Sequence, residues 1–125
     1  MIDHLTVHVN DLAKSKDFYL AALKPLGYEL ISDYPDWSIC GLGADKKPDL
    51  WLAGGSDVKQ TAHVAFGTTE KARVDAFHKA ALAAGGKDNG APGYRKEYSP
   101  GYYAAFVYDP TGNNIEVVWH DPGAE

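Results

Sequence analysis

The chain has 125 residues, enough for one domain around one hydrophobic core. Apolar content of 45%, charged content of 23% and a mild net charge of −5 with scattered acids describe a globular protein and argue against a nucleic-acid partner. No apolar run approaches the length that spans a bilayer, and the start shows no leader pattern. Cys40 is the only cysteine, so an intrachain disulfide is excluded and a reducing, cytoplasmic location is expected.

In chain order, residues 2–9 alternate, with Leu5, Val7 and Val9 on one face and His4, Thr6 and His8 on the other. Period-two alternation predicts a half-buried strand. Asn10 or Asp11 can cap a helix. Leu12, Ser15, Phe18, Tyr19, Ala22, Leu23 and Leu26 then recur at helical spacing, and Pro25 and Gly27 end the run. Strands are predicted over 28–31, 37–42 and 49–53, with a turn at Pro35-Asp36 and a linker at Gly54-Gly55-Ser56-Asp57. A second alternating strand covers 61–67, with His63 and Ala65 opposite Val64 and Phe66. The helix after it is capped by Thr68 or Thr69, carries Val74, Phe77, His78, Ala81 and Leu82 inward, and stops at Gly85-Gly86. Residues 87–99 lack a period and read mostly as loop with a short strand. Residues 102–108 and 114–119 are strands joined by Asp109-Pro110-Thr111-Gly112, a strong turn signal.

This order says the same thing twice. Moved forward by 59 positions, His4 to Gly27 lands without a gap on His63 to Gly86, with His on His, Phe18 on Phe77, Leu23 on Leu82 and Gly27 on Gly86. Two copies at that spacing predict a pseudo-twofold protein of two modules, 1–56 and 57–125, in one domain. Two helices cannot cover both faces of eight strands. One sheet face is therefore left uncovered, and the alternation puts His4, His63 and Glu116 on it.

Two imidazoles and a carboxylate on one face, with positions left open, suit a divalent first-row metal that acts as a Lewis acid. The bland reading is that each histidine is a hydrogen-bonded cleft residue.

Three motifs carry a resemblance: His4-Leu5-Thr6-Val7-His8-Val9-Asn10-Asp11-Leu12 with Ser15 and Phe18-Tyr19; His63-Val64-Ala65-Phe66; and Asp109-Pro110-Thr111-Gly112-Asn113-Asn114-Ile115-Glu116. With these the chain resembles the glyoxalase / bleomycin-resistance / extradiol-dioxygenase superfamily, the vicinal oxygen chelate proteins. The resemblance implies an α+β fold of two βαβββ modules in an open, cup-shaped mixed-sheet barrel with the helices outside. It also implies a metal site from His4, His63 and Glu116, holding one divalent ion (Fe, Mn, Ni, Zn or Mg). Glyoxalase I-like members carry a fourth carboxylate or amide ligand on the last strand of the first module. Here Trp51 stands in that place, with Asp49 a weak substitute, so hemithioacetal isomerisation is in doubt. The resemblance further implies a homodimer, with His4 donated across the interface to His63 and Glu116.

Around the trio, His8 shares the face of His4 and is a candidate acid/base group or a solvated strand histidine. Tyr102 and Tyr103 alternate, so one of them faces the cup and offers a hydroxyl. Trp51, Trp37 and Phe106 offer an apolar wall. Arg95, with Lys96 and Tyr98, is either part of a lid that binds an acidic substrate or part of a solvated loop. Three functions follow: a metal-dependent enzyme on a small substrate with vicinal oxygens (lyase, isomerase, thiol transferase or dioxygenase), a metal-free drug-sequestering protein, or an interaction module without chemistry.

Overall fold

The computed structural model describes residues 1–55 and 57–124; Ser56, at the boundary between modules, and Glu125, in the tail, lie outside the described residues. The elements run β1 (Leu5–His8), α1 (Leu12–Ala22), β2 (Glu29–Tyr34), β3 (Ile39–Gly43), β4 (Leu50–Ala53), β5 (His63–Thr68), α2 (Lys71–Ala83), β6 (Lys87–Tyr94), β7 (Tyr102–Tyr108) and β8 (Asn114–His120). The strands form two mixed four-stranded sheets, ordered β1-β4-β3-β2 and β5-β8-β7-β6. In each, the first strand runs parallel to the last. The two modules therefore share one topology, as the repeat requires. The sheets do not close on each other, and β1 and β5 each keep a free edge.

The helices lie against each other and against one face of the sheets, where a single core cluster spans both modules. Phe18, Tyr19, Ala22 and Leu23 of the first module meet Val74, Phe77 and Ala81 of the second, all essentially buried. Burial of such side chains, each contributing about 1.5–3 kcal/mol, drives this packing. Asp11 caps α1 by accepting from the Lys14 amide at 3.1 Å. The turn after β7 is built around the Asp109 carboxylate, which accepts from the amides of Thr111, Gly112 and Asn113 and, at 2.5 Å, from the Tyr19 hydroxyl. That bond ties the second-module turn to the first-module helix, and burial beside Asp109 pushes the Tyr19 phenol well up.

Several boundaries differ from expectation. A 3-10 turn over Pro35–Trp37 delays β3 to Ile39, and Trp37 is left outside it. Glu70 rather than Thr68 or Thr69 occupies the cap position of α2. Leu82 is exposed, because Val74, Phe77 and Ala81 complete the inward stripe without it. The largest departure is β6, expected mostly as loop. Its eight residues pair antiparallel with β7, but the register slips twice, between Asp88 and Gly90 and between Gly90 and Gly93. Those bulges erase the alternation by which a strand is recognised.

Candidate functional site

The faces turned away from the helices carry the candidate residues. On the second sheet, β5 and β8 register as His63↔Asn114 and Ala65↔Glu116, and β7 sets Phe106 opposite Glu116. Period two then places His63, Glu116, Phe106, Tyr102, Ala104 and Val118 on one face. The last four of these, Glu116 and His63 aside, form a small apolar cluster separate from the main core.

Glu116 is the centre of this face. It is 1% exposed, a burial that a carboxylate tolerates only when its oxygens are engaged. His63 Nε2 lies 2.8 Å from Oε1, and the Tyr102 hydroxyl donates to Oε2 in a short hydrogen bond. Tyr102 is held edge-on between Tyr98 and His120, with ring centroids 5.2 Å away on each side. Burial first, then the bond to Glu116, pushes its phenol up to about 12. Tyr103 stands on the helix side instead: its hydroxyl donates to Asp75 of α2 at 2.5 Å, and its ring packs beside Lys71, Tyr94 and Trp119. Of the tyrosine pair, only Tyr102 reaches the Glu116 carboxylate.

The first sheet presents the second half of the set. Thr6 registers with Trp51, so His4, Thr6, His8 and Trp51 share a face. The indole lies against Gly41, where a Cβ would come within 3.0–3.1 Å of the ring, and stacks on Tyr34 at 6.3 Å and 13°. Trp37 adds a third ring 5.3 Å from Tyr34 and is 71% exposed. His8 is exposed there, and its carbonyl accepts from Asn113. His4 donates through Nδ1 to Asp3 at 2.6 Å, and Asp3 also accepts from Lys47. These two bonds, that from His4 foremost, lower the Asp3 carboxyl below its usual range. An imidazole so held has its Nε2 free to act as a ligand.

The three expected ligands do not converge within one chain. Among the described residues no three His, Cys, Asp or Glu side chains are grouped to hold an ion. His63 and Glu116 meet; His4 is on the other sheet, beside a cleft of about 680 Å³ between the edges of β1 and β5. The walls of that cleft include Asp49 but neither His63 nor Glu116. Asp49 accepts from the Tyr28 hydroxyl at 2.8 and 3.0 Å, so its carboxylate is turned to Tyr28 rather than to the place of Trp51. Two members of the site went unnoticed in the sequence. Asp3, as orienter of His4, was legible from adjacency. Tyr34 was hidden because its strand extends past the expected end at residue 31.

Arg95, just beyond the end of β6, is folded back over this face. Its two terminal nitrogens donate to the carbonyls of Gly93 and Ala91, each at 2.8 Å, and the guanidinium carbon lies 5.4 Å from the centre of the Phe106 ring.

Known proteins share this architecture. A glyoxalase/bleomycin resistance protein from Albidiferax ferrireducens is similar at 28% identity and a TM-score of 0.77, over 95% of this chain and 98% of that one. A glyoxalase I variant from Zea mays is similar at 29% identity and a TM-score of 0.69; it covers 94% of this chain, which spans 46% of that longer one. A glyoxalase/bleomycin resistance protein/dioxygenase family enzyme from Burkholderia phytofirmans, at 19% identity and a TM-score of 0.73, shares the fold. No curated protein sequence matches. The family model describing the Glyoxalase/Bleomycin resistance protein/Dioxygenase superfamily matches residues 1–117, and with its paired βαβββ modules the chain belongs to that superfamily.

Proposed function

We propose that the protein is a small metal-dependent enzyme acting on a substrate with two adjacent oxygens. It works as a homodimer in which His4 of one chain joins His63 and Glu116 of a second. The observation that carries this reading is the buried Glu116, engaged by His63 and Tyr102 on the sheet face turned away from the helices. A purely structural carboxylate has no need of an exposed histidine, yet the His63 side chain is 54% exposed. One nitrogen from each histidine and the carboxylate make a donor set that fits a divalent first-row ion and leaves positions open. Such an ion supplies Lewis-acid polarisation of a substrate oxygen.

The chain's own residues then do the rest. Tyr102 fixes the Glu116 carboxylate and keeps its own proton to high pH, so its hydroxyl remains a donor. Asp3 fixes His4. Phe106 gives the substrate an apolar floor, and Trp51 and Trp37 wall the opposing face. His8 is the candidate acid/base group beside them. Trp51 at the fourth ligand place favours chemistry that needs one carboxylate, not two.

The dimer is supported by the distance of His4 from His63 and Glu116, which among the described residues leaves the donor set incomplete within one chain. A cytoplasmic setting belongs to the same reading, since Cys40 is free and buried. Among the described residues no helix is long and apolar enough to cross a membrane. A second reading, metal-free sequestration of a planar drug, is favoured by the cluster of Tyr34, Trp37 and Trp51 rings, of which Tyr34 and Trp37 are exposed.

Metal analysis of purified protein separates the two. The enzyme reading expects bound first-row metal that is lost in His63→Ala. Equal metal in both proteins removes it, and tight drug binding to metal-free protein would establish the alternative.

A further inference from the structure

Arg95 is an uncompensated charge. Of the two arginines in the chain, Arg73 pairs with Glu70 at 2.5 Å, whereas Arg95 has no carboxylate within ion-pair distance among the described residues. Among the described residues its hydrogen-bond partners are two neutral carbonyls, although a guanidinium carries five N–H donors. It is half-buried and lies over an apolar ring. A cation removed from water in this way is costly unless an anion joins it.

The backbone is shaped to hold it there. Gly90 and Gly93 border the guanidinium and the ring beneath it: a Cβ at Gly90 would come within 2.9 Å of the Phe106 ring and 3.1 Å of one terminal nitrogen, and a Cβ at Gly93 within 3.0 Å of the other. Gly90 has φ of 155°, a conformation that L side chains rarely adopt. The two register slips of β6 fall at these same glycines. The bulged strand thus clears a seat for Arg95 on the sheet face that carries Glu116. Phe106 links the two: it stands opposite Glu116, its ring is 6.3 Å from that of His63, and the Arg95 guanidinium is over it.

We infer that Arg95 is a fixed anchor for a carboxylate on the substrate, which lies across Phe106 with its adjacent oxygens toward His63 and Glu116. The substrate class is then a planar or short small molecule with vicinal oxygens at one end and a carboxylate at the other. This deepens the metal-enzyme reading and rests on it for the oxygen end only. A planar guanidinium recognises a carboxylate through paired donors, which a lysine could not reproduce.

Two measurements test the anchor. In metal-free protein, the Arg95 Nε–H resonance, assigned by its loss in Arg95→Lys, shifts on titration with benzoate and not with benzamide. In Mn²⁺-loaded protein, calorimetry finds 3,4-dihydroxybenzoate bound at least about tenfold more tightly than 3,4-dihydroxybenzamide. Arg95→Gln brings that ratio near one with Mn²⁺ content unchanged. Gly93→Ala keeps the arginine and, by pressing its terminal nitrogen aside by a few tenths of an ångström, lowers the ratio without abolishing it. An unmoved Arg95 resonance, or equal affinity for the acid and the amide in the native protein, overturns the anchor even if Mn²⁺ binds. Failure to bind Mn²⁺ while the resonance still answers benzoate sinks the metal reading and leaves the anchor standing.

Discussion

Tyr102 and Tyr103 are neighbours in sequence whose hydroxyls do opposite jobs. Tyr102 holds the carboxylate proposed as a metal ligand, so Tyr102→Phe removes an outer-shell hydrogen bond from it. Loss of such a partner lowers metal affinity about 10–100-fold, readable by competition with a chelator dye. Unchanged affinity would mean that the bond serves packing alone. Tyr103 instead ties β7 to α2 through Asp75. Burial first, then that hydrogen bond, pushes its phenol up to about 12. A phenol in an unfolded chain titrates near about 10. Between those values the folded protein holds a proton that the unfolded chain has lost, so this contribution to stability is complete below pH ~10 and fades as pH rises toward 12. Urea midpoints at pH 9 and pH 11 should therefore fall less in Tyr103→Phe than in the native protein. The slope becomes shallower and does not vanish, since burial also raises the phenols of Tyr19, Tyr28 and Tyr102.

At the level of elements, the two helix–sheet units are similar in pattern and differ in how closely they approach. Gly86, at the end of the second helix, sits where a Cβ would come within 2.5 Å of Val107, 2.7 Å of Phe18 and 2.9 Å of the Ala81 carbonyl. Two of those atoms belong to packed core side chains and one to backbone, so none can yield freely. Gly86→Ala is expected to destabilise the fold by about 1–3 kcal/mol through overpacking, measured by urea denaturation. A neutral result would show that α1 can slide relative to β7. The same logic of close approach, applied to β6, gives up strand regularity to seat one arginine.

On the scale of the whole molecule, the separation of His4 from His63 and Glu116 makes a sharp prediction about mixed dimers. His4→Ala and Glu116→Gln should each bind little metal alone. Refolded together in equal amounts, half of the random dimers are mixed and each regains one complete site. The mixture should therefore recover roughly a quarter of the native metal content. Recovery of nothing would place all three ligands in one chain or remove the metal altogether. Light scattering should give twice the 13.5 kDa of one chain.

The sequence by itself determined the duplication, the order of elements and which side chains share a face. Those properties follow from local periods: two residues in a strand, 3.6 in a helix, and a gapless repeat that needs no partner to be seen. It also placed His4, His63 and Glu116 on the uncovered side of their strands, and left open which of Tyr102 and Tyr103 joins them. It did not reveal β6, because two bulges at glycines break the alternation, nor the extent of β2, which hid Tyr34. Only the tertiary structure decided that Glu116 is buried and shared, that Tyr103 turns to the helix, and that Arg95 folds back onto Phe106. Those outcomes depend on which strand lies beside which and how far apart the sheets stand. Such distances are set by long-range packing, which no local period encodes.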